Sequence, residues 1–479
     1  MAVRRYTADA DTTITNAFKP DLRTRATDAN MGESDILETF SLFAQETSSS
    51  VEKQRILVKF PVDEIVADRN AGNVPGSGSV NFFVKLSNAK HNQTTPEDFT
   101  LNVLAVSSSW DEGYGLDMET YKDVGEANWI TASCLNNTAS LWTTPGGDYH
   151  AFPAYNAYFD IGTEDLEVDI TQLVEEWIDG TKENYGVGIH LTSSEENAQR
   201  SFYTKKFFSR GSEFFFKKPF IEARYDSSVK DQRNSFYVSS SLLEAEDNEN
   251  TLFLYNRFRG EYKNIAGVGT GSIYVSLYSG SFLPVGSPLS LSSGETAVTG
   301  GWYETGVYTA SVGVFVEHPY VFDIWHNNET GASRIEYATG SRISVISYEA
   351  SNQNDTTDYV TAISNLQRSY RQDENVRFRM FVRYKDWNPT IYTVATTNIE
   401  SEIIENAYYR VYREVDGYEV VPYGTGNLNH TRTSYDLEGN YFDLDMSLFE
   451  PGYMYRITFA YLRTGKYEEQ SETFKFKVR

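Results

Sequence analysis

The stretch Ser79-Val80-Asn81-Phe82-Phe83-Val84-Lys85-Leu86 places an apolar side chain at every second position from Val80 to Leu86. Successive side chains of an extended strand point to opposite faces, so this period of two predicts a half-buried β-strand. The same character recurs along the chain, in segments 187–191, 272–278, 306–312, 320–326, 376–382, 408–413 and 473–478. Clusters of Gly, Asn, Asp and Pro separate these runs. The sequence therefore predicts a mainly β architecture.

One segment departs from this pattern and predicts a short amphipathic helix between Asp169 and Asp179. Its apolar residues recur three and four positions apart, as one face of a helix requires: Ile170, Leu173, Val174 and Trp177. Asp169 or Thr171 is the expected N-cap, and Gly180 is expected to end the helix.

Composition indicates a globular chain of several domains. The 479 residues are too many for one ordinary core, and the 40% hydrophobic and 15% aromatic content is ample for burial. The 42 basic and 67 acidic residues leave a formal net charge of −25, which argues against nucleic acid and anionic membrane as partners. Cys134 is the only cysteine, so an intrachain disulfide and a cysteine-based zinc site are excluded.

Polar stretches suggest two domain boundaries. The first lies near residue 226, where a predicted strand gives way to a polar segment, and the second lies in the polar region between about 347 and 375. We therefore expect three domains, at 1–226, 227–350 and 351–479. The strand spacing of the second and third suits immunoglobulin-like β-sandwiches.

Six spaced signatures mark the first 225 residues. They are Ala8-Asp-Ala-Asp-Thr12, Ile56-Leu-Val-Lys-Phe60, Trp110-Asp-Glu-Gly113, Trp142-Thr-Thr-Pro-Gly-Gly-Asp-Tyr149, Trp177-Ile-Asp-Gly180 and Pro219-Phe-Ile-Glu-Ala-Arg-Tyr225. In order and approximate spacing they resemble the DNRLRE-type domain of bacterial surface proteins and tailed phage particles. The resemblance implies a jelly-roll β-sandwich related to carbohydrate-binding modules.

A second resemblance covers roughly the last hundred residues. The segment Ser434-Tyr-Asp-Leu-Glu-Gly-Asn-Tyr-Phe-Asp-Leu-Asp-Met-Ser-Leu-Phe-Glu-Pro-Gly-Tyr-Met-Tyr455 is similar to segments in virion structural proteins of large marine, T4-like tailed phages. Together the two resemblances imply an all-β virion protein: an N-terminal DNRLRE-like jelly-roll sandwich followed by two immunoglobulin-like sandwiches.

Three aromatic residues in and between the third and fourth signatures suggest a sugar-binding platform. The faces of Trp110, Trp129 and Trp142 can stack on pyranose rings, and Asp148 can bind sugar hydroxyls. We weigh this glycan site, formed by Trp110, Trp142 and Asp148, against a structural role. In the resembled domains such tryptophans pack beneath long loops that fold back over the sandwich, and this packing is the favoured interpretation.

Four carboxylates nearby form a candidate structural cation site: Asp111, Glu112, Asp117 and Asp148. Gly113, Gly115, Gly146 and Gly147 would let backbone carbonyls join them around a hard cation, so calcium is the only cofactor that the sequence suggests. The favoured alternative is ordinary turn chemistry, in which aspartate side chains accept backbone N–H groups.

Catalytic motifs are missing from the sequence. The six histidines show neither His-x-His nor His-Glu-x-x-His spacing, and no Gly-x-Ser-x-Gly elbow occurs. We interpret His190, in an apolar strand, as a hydrogen-bonded core residue. A glycosidase or lyase is the least favoured class because no acid/base pair stands out among 67 acidic residues. We expect a protein that is not an enzyme.

The leading hypothesis is a structural component of a tailed phage neck, tail or fibre. It would bind copies of itself and other virion proteins, with host-surface glycan as a secondary partner. Two basic islands, at 200–218 and 368–385, could meet acidic patches of neighbouring subunits or could be solvated faces. No signal peptide or membrane segment is recognisable, so we expect synthesis in the host cytoplasm, release by lysis and no membrane insertion. The alternative is a carbohydrate-binding adhesin or accessory module.

Overall fold

The computed structural model of the chain describes residues 2–92, 95–135, 138–240, 242–244, 248–327, 333–347, 358–386, 401–463 and 465–479. The chain divides into two units. The first comprises Met1–Asp226, Gly426–His430 and Leu448–Glu450, and the second comprises Ser227–Thr425, Thr431–Ser447 and Pro451–Arg479. Both are built from β-sheets, so the predicted all-β fold is confirmed. The predicted boundary at 350/351 lies outside the described residues.

The first unit is a two-layer sandwich. Its strands are β1 (Val3–Thr7), β2 (Ala10–Thr15), β3 (Ile36–Phe43), β4 (Val51–Lys59), β5 (Asn81–Leu86), β6 (Phe99–Val106), β7 (Thr131–Leu135), β8 (Thr138–Leu141), β9 (Tyr149–Phe159), β10 (Leu166–Asp169), β11 (Val187–Leu191), β12 (Phe202–Phe208) and β13 (Phe220–Arg224). One sheet has the order β1-β13-β5-β10. The other has the order β12-β3-β4-β11-β6-β9, with β2 also paired to β4, while β7 and β8 form a separate hairpin.

Alternation along the strands places the core of the first unit between these two sheets. Phe82, Val84 and Leu86 of β5 and Ile189 and Leu191 of β11 all belong to one buried apolar cluster. Burying such side chains contributes about 1.5–3 kcal/mol each. The residues between them on β11 therefore face away from this core.

Three helices accompany the first unit: α1 (Val62–Asn70), α2 (Thr171–Ile178) and α3 (Ser193–Glu196). Helix α2 confirms the predicted helix, and its buried face is formed by Leu173, Val174 and Trp177. Ile170 occupies the N-cap position and no side-chain cap is present, although Asp169 accepts the backbone N–H of Thr171 at 2.9 Å. The sequence did not predict α1, because only two of its residues, Val62 and Ile65, are buried.

The second unit contains a middle group of sheets and a C-terminal sandwich. The middle strands are β14 (Phe236–Tyr237), β15 (Asn250–Tyr255), β16 (Arg257–Phe258), β17 (Glu261–Tyr262), β18 (Ile273–Ser279), β19 (Val298–Glu304), β20 (Val307–Val312), β21 (Tyr320–His326), β22 (Glu336–Thr339) and β23 (Ile343–Ile346). Their main sheet has the order β14-β23-β21-β18-β19-β20-β15, with β22 paired to β21. Strands β16 and β17 form a hairpin. Trp325 and Tyr308, both inaccessible to solvent, lie in the core of these sheets, which we call the middle sandwich.

The C-terminal sandwich has two sheets. Its strands are β24 (Tyr359–Ile363), β25 (Ser369–Tyr370), β26 (Asn375–Tyr384), β27 (Ala407–Arg413), β28 (Glu419–Val421), β29 (Ser434–Asp436), β30 (Gly439–Asp445), β31 (Met454–Arg463), β32 (Lys466–Glu469) and β33 (Phe474–Val478). The sheets have the orders β24-β26-β30-β29 and β25-β33-β31-β27-β28, and β32 also pairs with β31. Aromatic rings join them: Tyr409 stacks on Phe442 with 4.3 Å between ring centroids.

The strand predictions agree closely with these elements. The segments 187–191 and 320–326 are β11 and β21 without any shift, and the segment 79–86 contains β5. None of the helices in the described part of the chain combines the length and apolar character needed to cross a membrane.

Candidate functional site

A polar cleft of about 540 Å³ lies on the outer face of the larger sheet of the first unit. Its walls come from neighbouring strands: Arg55 from β4, Leu104 from β6, Tyr149 from the start of β9 and His190 from β11. Ser107, Ser108 and Asp148 add hydroxyl and carboxylate groups from the ends of β6 and β9. We call this the polar cleft.

Arg55 is held in place by a buried carboxylate. Its Nε and Nη2 donate to Oε1 and Oε2 of Glu196 at 2.8 and 2.6 Å, and its Nη1 donates to the carbonyl of Gly146 at 2.8 Å. Burial tends to raise the pKa of Glu196, but the bidentate bond and charge of Arg55 prevail and lower it. Both side chains are therefore charged at neutral pH and mutually neutralised.

His190 offers an unused acceptor in the polar cleft. Its Nδ1 lies 2.7 Å from the carbonyl of Leu191, so Nδ1 carries the proton and donates it. Burial, followed by the charge of Arg55, lowers the pKa of His190, which keeps the ring neutral at pH 7. Nε2 then has a free lone pair, yet it has no hydrogen-bond partner among the described residues although the residue is only 6% exposed. Such a buried acceptor is suited to a ligand hydroxyl or a bound water.

The ring of Tyr149 packs directly against the backbone of Gly188 in β11. A Cβ on Gly188 would lie 2.1 Å from the Tyr149 ring, so only glycine permits this packing. The ring centroid lies 5.2 Å from that of His190, and the hydroxyl donates to the Gly146 carbonyl at 2.9 Å. Burial raises the pKa of Tyr149 to about 12. The tyrosine thus forms a neutral, fixed wall of the polar cleft.

Asp148 organises the loop that borders the polar cleft. Its two oxygens accept the backbone N–H groups of Thr143 and Thr144 at 2.8 and 3.0 Å, and the Ser108 hydroxyl donates to it at 3.2 Å. Partial burial acts to raise its pKa, but these hydrogen bonds outweigh burial and lower it. Asp148 is therefore an ionised carboxylate with a defined orientation at the edge of the cleft.

The chemistry of the polar cleft is that of hydroxyl recognition. His190 Nε2 and the Asp148 carboxylate are acceptors, while the serine and threonine hydroxyls both donate and accept. Nucleophilic catalysis would need a hydroxyl or thiol within hydrogen-bond reach of His190 Nε2, and the described residues place none there.

The three tryptophans of the predicted sugar-binding platform are buried beneath loops. Trp110, Trp129 and Trp142 are 7%, 7% and 4% exposed and form a second buried cluster, on the outer face of the sheet, with Leu57 and Val106. The Trp110 and Trp142 indoles donate to the carbonyls of Tyr185 and Asn128, each at 2.8 Å. Protein covers their faces, so of the predicted glycan-binding residues only Asp148 borders an open cleft.

The four predicted cation ligands are not brought together. Glu112 forms a two-point ion pair with Arg210. Asp117 accepts the backbone N–H groups of residues 119–121. Asp148 accepts the backbone N–H groups of Thr143 and Thr144, as described above. Asp111 is exposed on its loop. Within the described ranges, no group of three or more His, Cys, Asp or Glu side chains could hold a metal ion. The contacts of Asp117 and Asp148 are the turn chemistry that was weighed against a calcium site, whereas Glu112 is held by a long-range ion pair.

The basic islands are largely neutralised within the chain. Lys206 pairs with Glu38, Arg377 with Asp443 and Arg379 with Asp436. Lys205 is buried, and its ammonium donates to Asn88 Oδ1 and to the carbonyls of Gly162 and Glu164. These side chains are therefore not free cations for a neighbouring subunit.

Sequence reasoning missed Arg55 and Tyr149 as members of the polar cleft and Glu196 as the carboxylate that holds Arg55, and it assigned His190 to the core. Two signals were present in the sequence. Arg55 directly precedes the apolar run of β4, and Gly188 and His190 occupy alternate positions of an otherwise apolar strand. Both place polar groups on the face opposite the core.

Comparisons with known proteins leave the family open. No protein-family model matches the chain, and no curated protein matches it significantly. Among solved structures it is similar to Salmonella alpha-2-macroglobulin reacted with methylamine, with 9% identity over 93% of this chain and 21% of that chain and a TM-score of 0.15. It is also similar to a tetra-tandem repeat from the extending region of a large adhesion protein, with 7% identity over 98% and 99% of the two chains and a TM-score of 0.15.

A third similarity is to the chicken CNTN1 FN1–FN3 domains, with 10% identity over 85% and 96% of the two chains and a TM-score of 0.14. The chain spans about a fifth of the length of the alpha-2-macroglobulins from Salmonella and E. coli. At such TM-scores these similarities carry no functional argument.

Proposed function

We propose that this chain is a non-enzymatic structural component of a tailed phage particle, located at the neck, tail or a fibre. It is made in the host cytoplasm and released by lysis. It assembles multivalently with copies of itself and with other virion proteins, while a host-surface glycan is a secondary partner. The sequence resemblances to DNRLRE-type domains and phage structural proteins support this role. The structural observation that carries it is an exposed apolar surface on the middle sandwich.

Three loops meet at one end of the middle sandwich. Strand pairing places the end of β18 beside the start of β21, and the end of β20 beside the start of β15. The connecting loops are hydrogen bonded to one another: Ser239 N–H donates to the Val314 carbonyl and Ser292 N–H donates to the Gly313 carbonyl, each at 2.8 Å. We call this end the apolar tip.

The three loops of the apolar tip carry large apolar side chains that are exposed to solvent: Leu242, Leu243, Phe282, Leu283, Val285, Phe315 and Val316. Leu242 and Phe282 are 91% and 85% exposed. Contiguous apolar surface is rare on a free monomer and typically marks a protein–protein contact. Covering it with a neighbouring subunit supplies the hydrophobic driving force for assembly.

The test of location is mass spectrometry of purified phage particles together with their cryo-EM reconstruction. We expect the chain in intact virions, as density at the neck, tail or a fibre. Its absence from purified particles would refute the proposed function.

The test of the apolar tip is the double variant Phe282→Ser/Leu283→Ser. We expect it to fold normally, because both side chains are solvent-exposed, and to lose incorporation into particles. Val415→Ser, at a 72% exposed position of the C-terminal sandwich, is the matched control and should be incorporated like the wild type. Equal incorporation of all three proteins would exclude the apolar tip as the assembly contact.

The proposal that the chain is not an enzyme has its own test. Purified protein is incubated with marine polysaccharides, and the products are separated by size. We expect unchanged chain lengths. Release of oligosaccharides would contradict this part of the proposal.

A second candidate function, a carbohydrate-binding adhesin or accessory module, is favoured by the polar cleft. The orphaned Nε2 of His190 and the oriented carboxylate of Asp148 are suited to sugar hydroxyls. His190→Phe keeps a ring against Tyr149 but removes the acceptor. On a glycan array, wild-type binding that is lost in His190→Phe and kept in His318→Phe would support this function, whereas no binding by the wild type would exclude it.

A further inference from the structure

The second unit contains a cleft of about 460 Å³ between the middle sandwich and the C-terminal sandwich. This volume falls within the roughly 300–1,000 Å³ typical of small-ligand sites. Strand β15, the β16–β17 hairpin, β26 and the β29–β30 turn contribute its walls. We call it the junction cleft, and its residues are different from those of the polar cleft.

The backbone before β14 fixes one side of the junction cleft. The N–H of Asp231 donates to the Tyr435 carbonyl at 3.1 Å, and the Tyr435 N–H donates to the Val229 carbonyl at 2.9 Å. This short parallel bridge attaches the segment to β29. Asp231 is thereby held in the junction cleft with only 1% of its surface exposed.

Two polar atoms of the junction cleft have no partner. Oδ2 of Asp231 lies 3.4 Å from Nε of Arg233, but Oδ1 has no hydrogen bond among the described residues. The hydroxyl of Tyr255 is likewise buried and unsatisfied within the described part of the chain. Leaving such groups unpaired is costly, so a bound molecule with hydroxyl groups would stabilise both. Burial also raises the pKa of Asp231 to about 7, which lets its carboxyl group donate as well as accept near neutrality.

Three of the four arginines that line the junction cleft form ion pairs with carboxylates. Arg233 forms a two-point ion pair with Asp323, with both distances 2.6 Å. Arg377 binds Asp443 through two hydrogen bonds of 2.7 and 2.8 Å. Arg379 binds Asp436 at 2.6 Å. The charges of these three pairs cancel locally, and the fourth arginine, Arg257, lies against the ring of Tyr262, so a neutral ligand can occupy the cleft.

Aromatic rings complete the junction cleft. Phe253 and Tyr255 stack with 6.3 Å between centroids, and Tyr255 lies 6.4 Å from Tyr262. Arg257 covers Tyr262 with its guanidinium carbon 4.4 Å from the ring centroid. Phe253 is itself buried, with 5% of its surface exposed, so the aromatic surface that faces the cleft comes from Tyr255 and Tyr262. Aromatic surface beside oriented hydrogen-bonding groups matches a sugar ring, which has an apolar face and a hydroxylated edge.

We propose that the junction cleft binds a neutral saccharide, whose hydroxyl groups pair with Asp231 Oδ1 and the Tyr255 hydroxyl while its apolar face lies against the aromatic wall. A saccharide bridging the two sandwiches would also stabilise them against unfolding, since it binds only the folded unit. This site is independent of the apolar tip and of the polar cleft.

The experiment measures binding of three neutral trisaccharides, maltotriose, cellotriose and N,N′,N″-triacetylchitotriose, to the full chain by titration calorimetry and ligand-observed NMR. We expect at least one to bind. Tyr255→Phe should weaken that binding about tenfold through loss of one hydrogen bond, without lowering the melting temperature, because its hydroxyl has no protein partner. Asp231→Asn should also weaken it, whereas Tyr237→Phe, which lies outside the cleft, should not.

Three results measured on the junction cleft itself would overturn the proposal. They are failure of all three sugars to bind, binding that is unchanged in both Tyr255→Phe and Asp231→Asn, and stronger binding of the cationic, deacetylated chitotriose than of its neutral form. The last result would assign the cleft to a cationic ligand held by Asp231. Binding lost in His190→Phe but kept in Tyr255→Phe would place the sugar in the polar cleft and would equally overturn the assignment.

Discussion

Arg55 and Glu196 form a two-point ion pair beside the polar cleft, with only 15% and 5% of their side chains exposed. Lys53 approaches the same carboxylate at 3.3 Å, and His190 Nδ1 lies 3.8 Å from it. The pair thereby links β4 to the helix α3 and sets the position of the residues around His190. Removing Arg55 would leave the buried Glu196 carboxylate with the longer contact to Lys53 in place of the two-point pair.

Arg55→Met should lower the free energy of unfolding of the first unit by about 3 kcal/mol, because the buried Glu196 loses its two-point partner and keeps only the longer contact to Lys53. The double variant Arg55→Met/Glu196→Gln should regain part of this loss. Urea denaturation followed by tryptophan fluorescence measures both. Arg371→Met is the control: its pair with Asp373 is 64% and 66% exposed, and its loss should cost less than about 1 kcal/mol. Equal effects of the two arginine substitutions would contradict the inference.

Glu222 should make the first unit sensitive to acid. It is inaccessible to solvent, and although burial opposes ionisation, the charges of Arg5, Lys85 and Arg224 lower its pKa to about 2. A lowered carboxyl pKa contributes stability that is complete above the ordinary value near 4.5 and is lost as pH falls toward 2, here about 3 kcal/mol.

Denaturation of Glu222→Gln and the wild type between pH 2.5 and 6 measures this effect. The variant should be less stable at pH 6, and the difference should shrink toward pH 2.5. Glu64→Gln, at an exposed position of α1, should follow the wild type at every pH. A difference that stays constant with pH would argue against the buried charge as its cause.

The contribution of Asp11 to the stability of the first unit should have the opposite pH dependence. Burial raises its pKa to about 7, despite the Arg210 N–H that its carboxylate accepts at 2.6 Å. A raised carboxyl pKa means that the folded state holds the proton more tightly, so stability falls as pH rises from about 4 and the penalty is complete above 7. Asp11→Asn should therefore gain stability relative to the wild type between pH 5 and 8. Thermal unfolding of both proteins at pH 5 and pH 8 measures this gain. A difference in melting temperature that stays the same or shrinks from pH 5 to pH 8 would contradict the prediction.

A substitution of Trp142 distinguishes a role in loop packing from a role in sugar stacking. Trp142→Phe removes the indole N–H that satisfies the Asn128 carbonyl, and it should destabilise the first unit by about 1–3 kcal/mol. Trp302→Phe, at a 40% exposed position, should have a much smaller effect. Unchanged stability of Trp142→Phe together with weaker glycan binding would instead favour the stacking platform.

The local pattern of the sequence was sufficient for the secondary structure of long, alternating segments. Strand β5 and the helix α2 follow from periods of two and of 3.6 residues, because each buries one face. Helix α1 lacks such a face, so its sequence did not distinguish it from a loop. Asp148 was recognised as a site residue from its glycine-rich loop.

The sequence by itself determined that this protein is an acidic, β-rich chain without disulfides or a catalytic motif, since composition and periodicity depend only on the order of residues. Only the tertiary structure decided that the tryptophans pack beneath loops and that Arg55, Asp148 and His190 share a cleft. It also decided that Oδ1 of Asp231 and the Tyr255 hydroxyl, in the junction cleft, have no hydrogen-bond partner among the described residues. These groups are far apart in sequence, and burial and hydrogen bonding depend on which strands become neighbours, which local patterns do not specify.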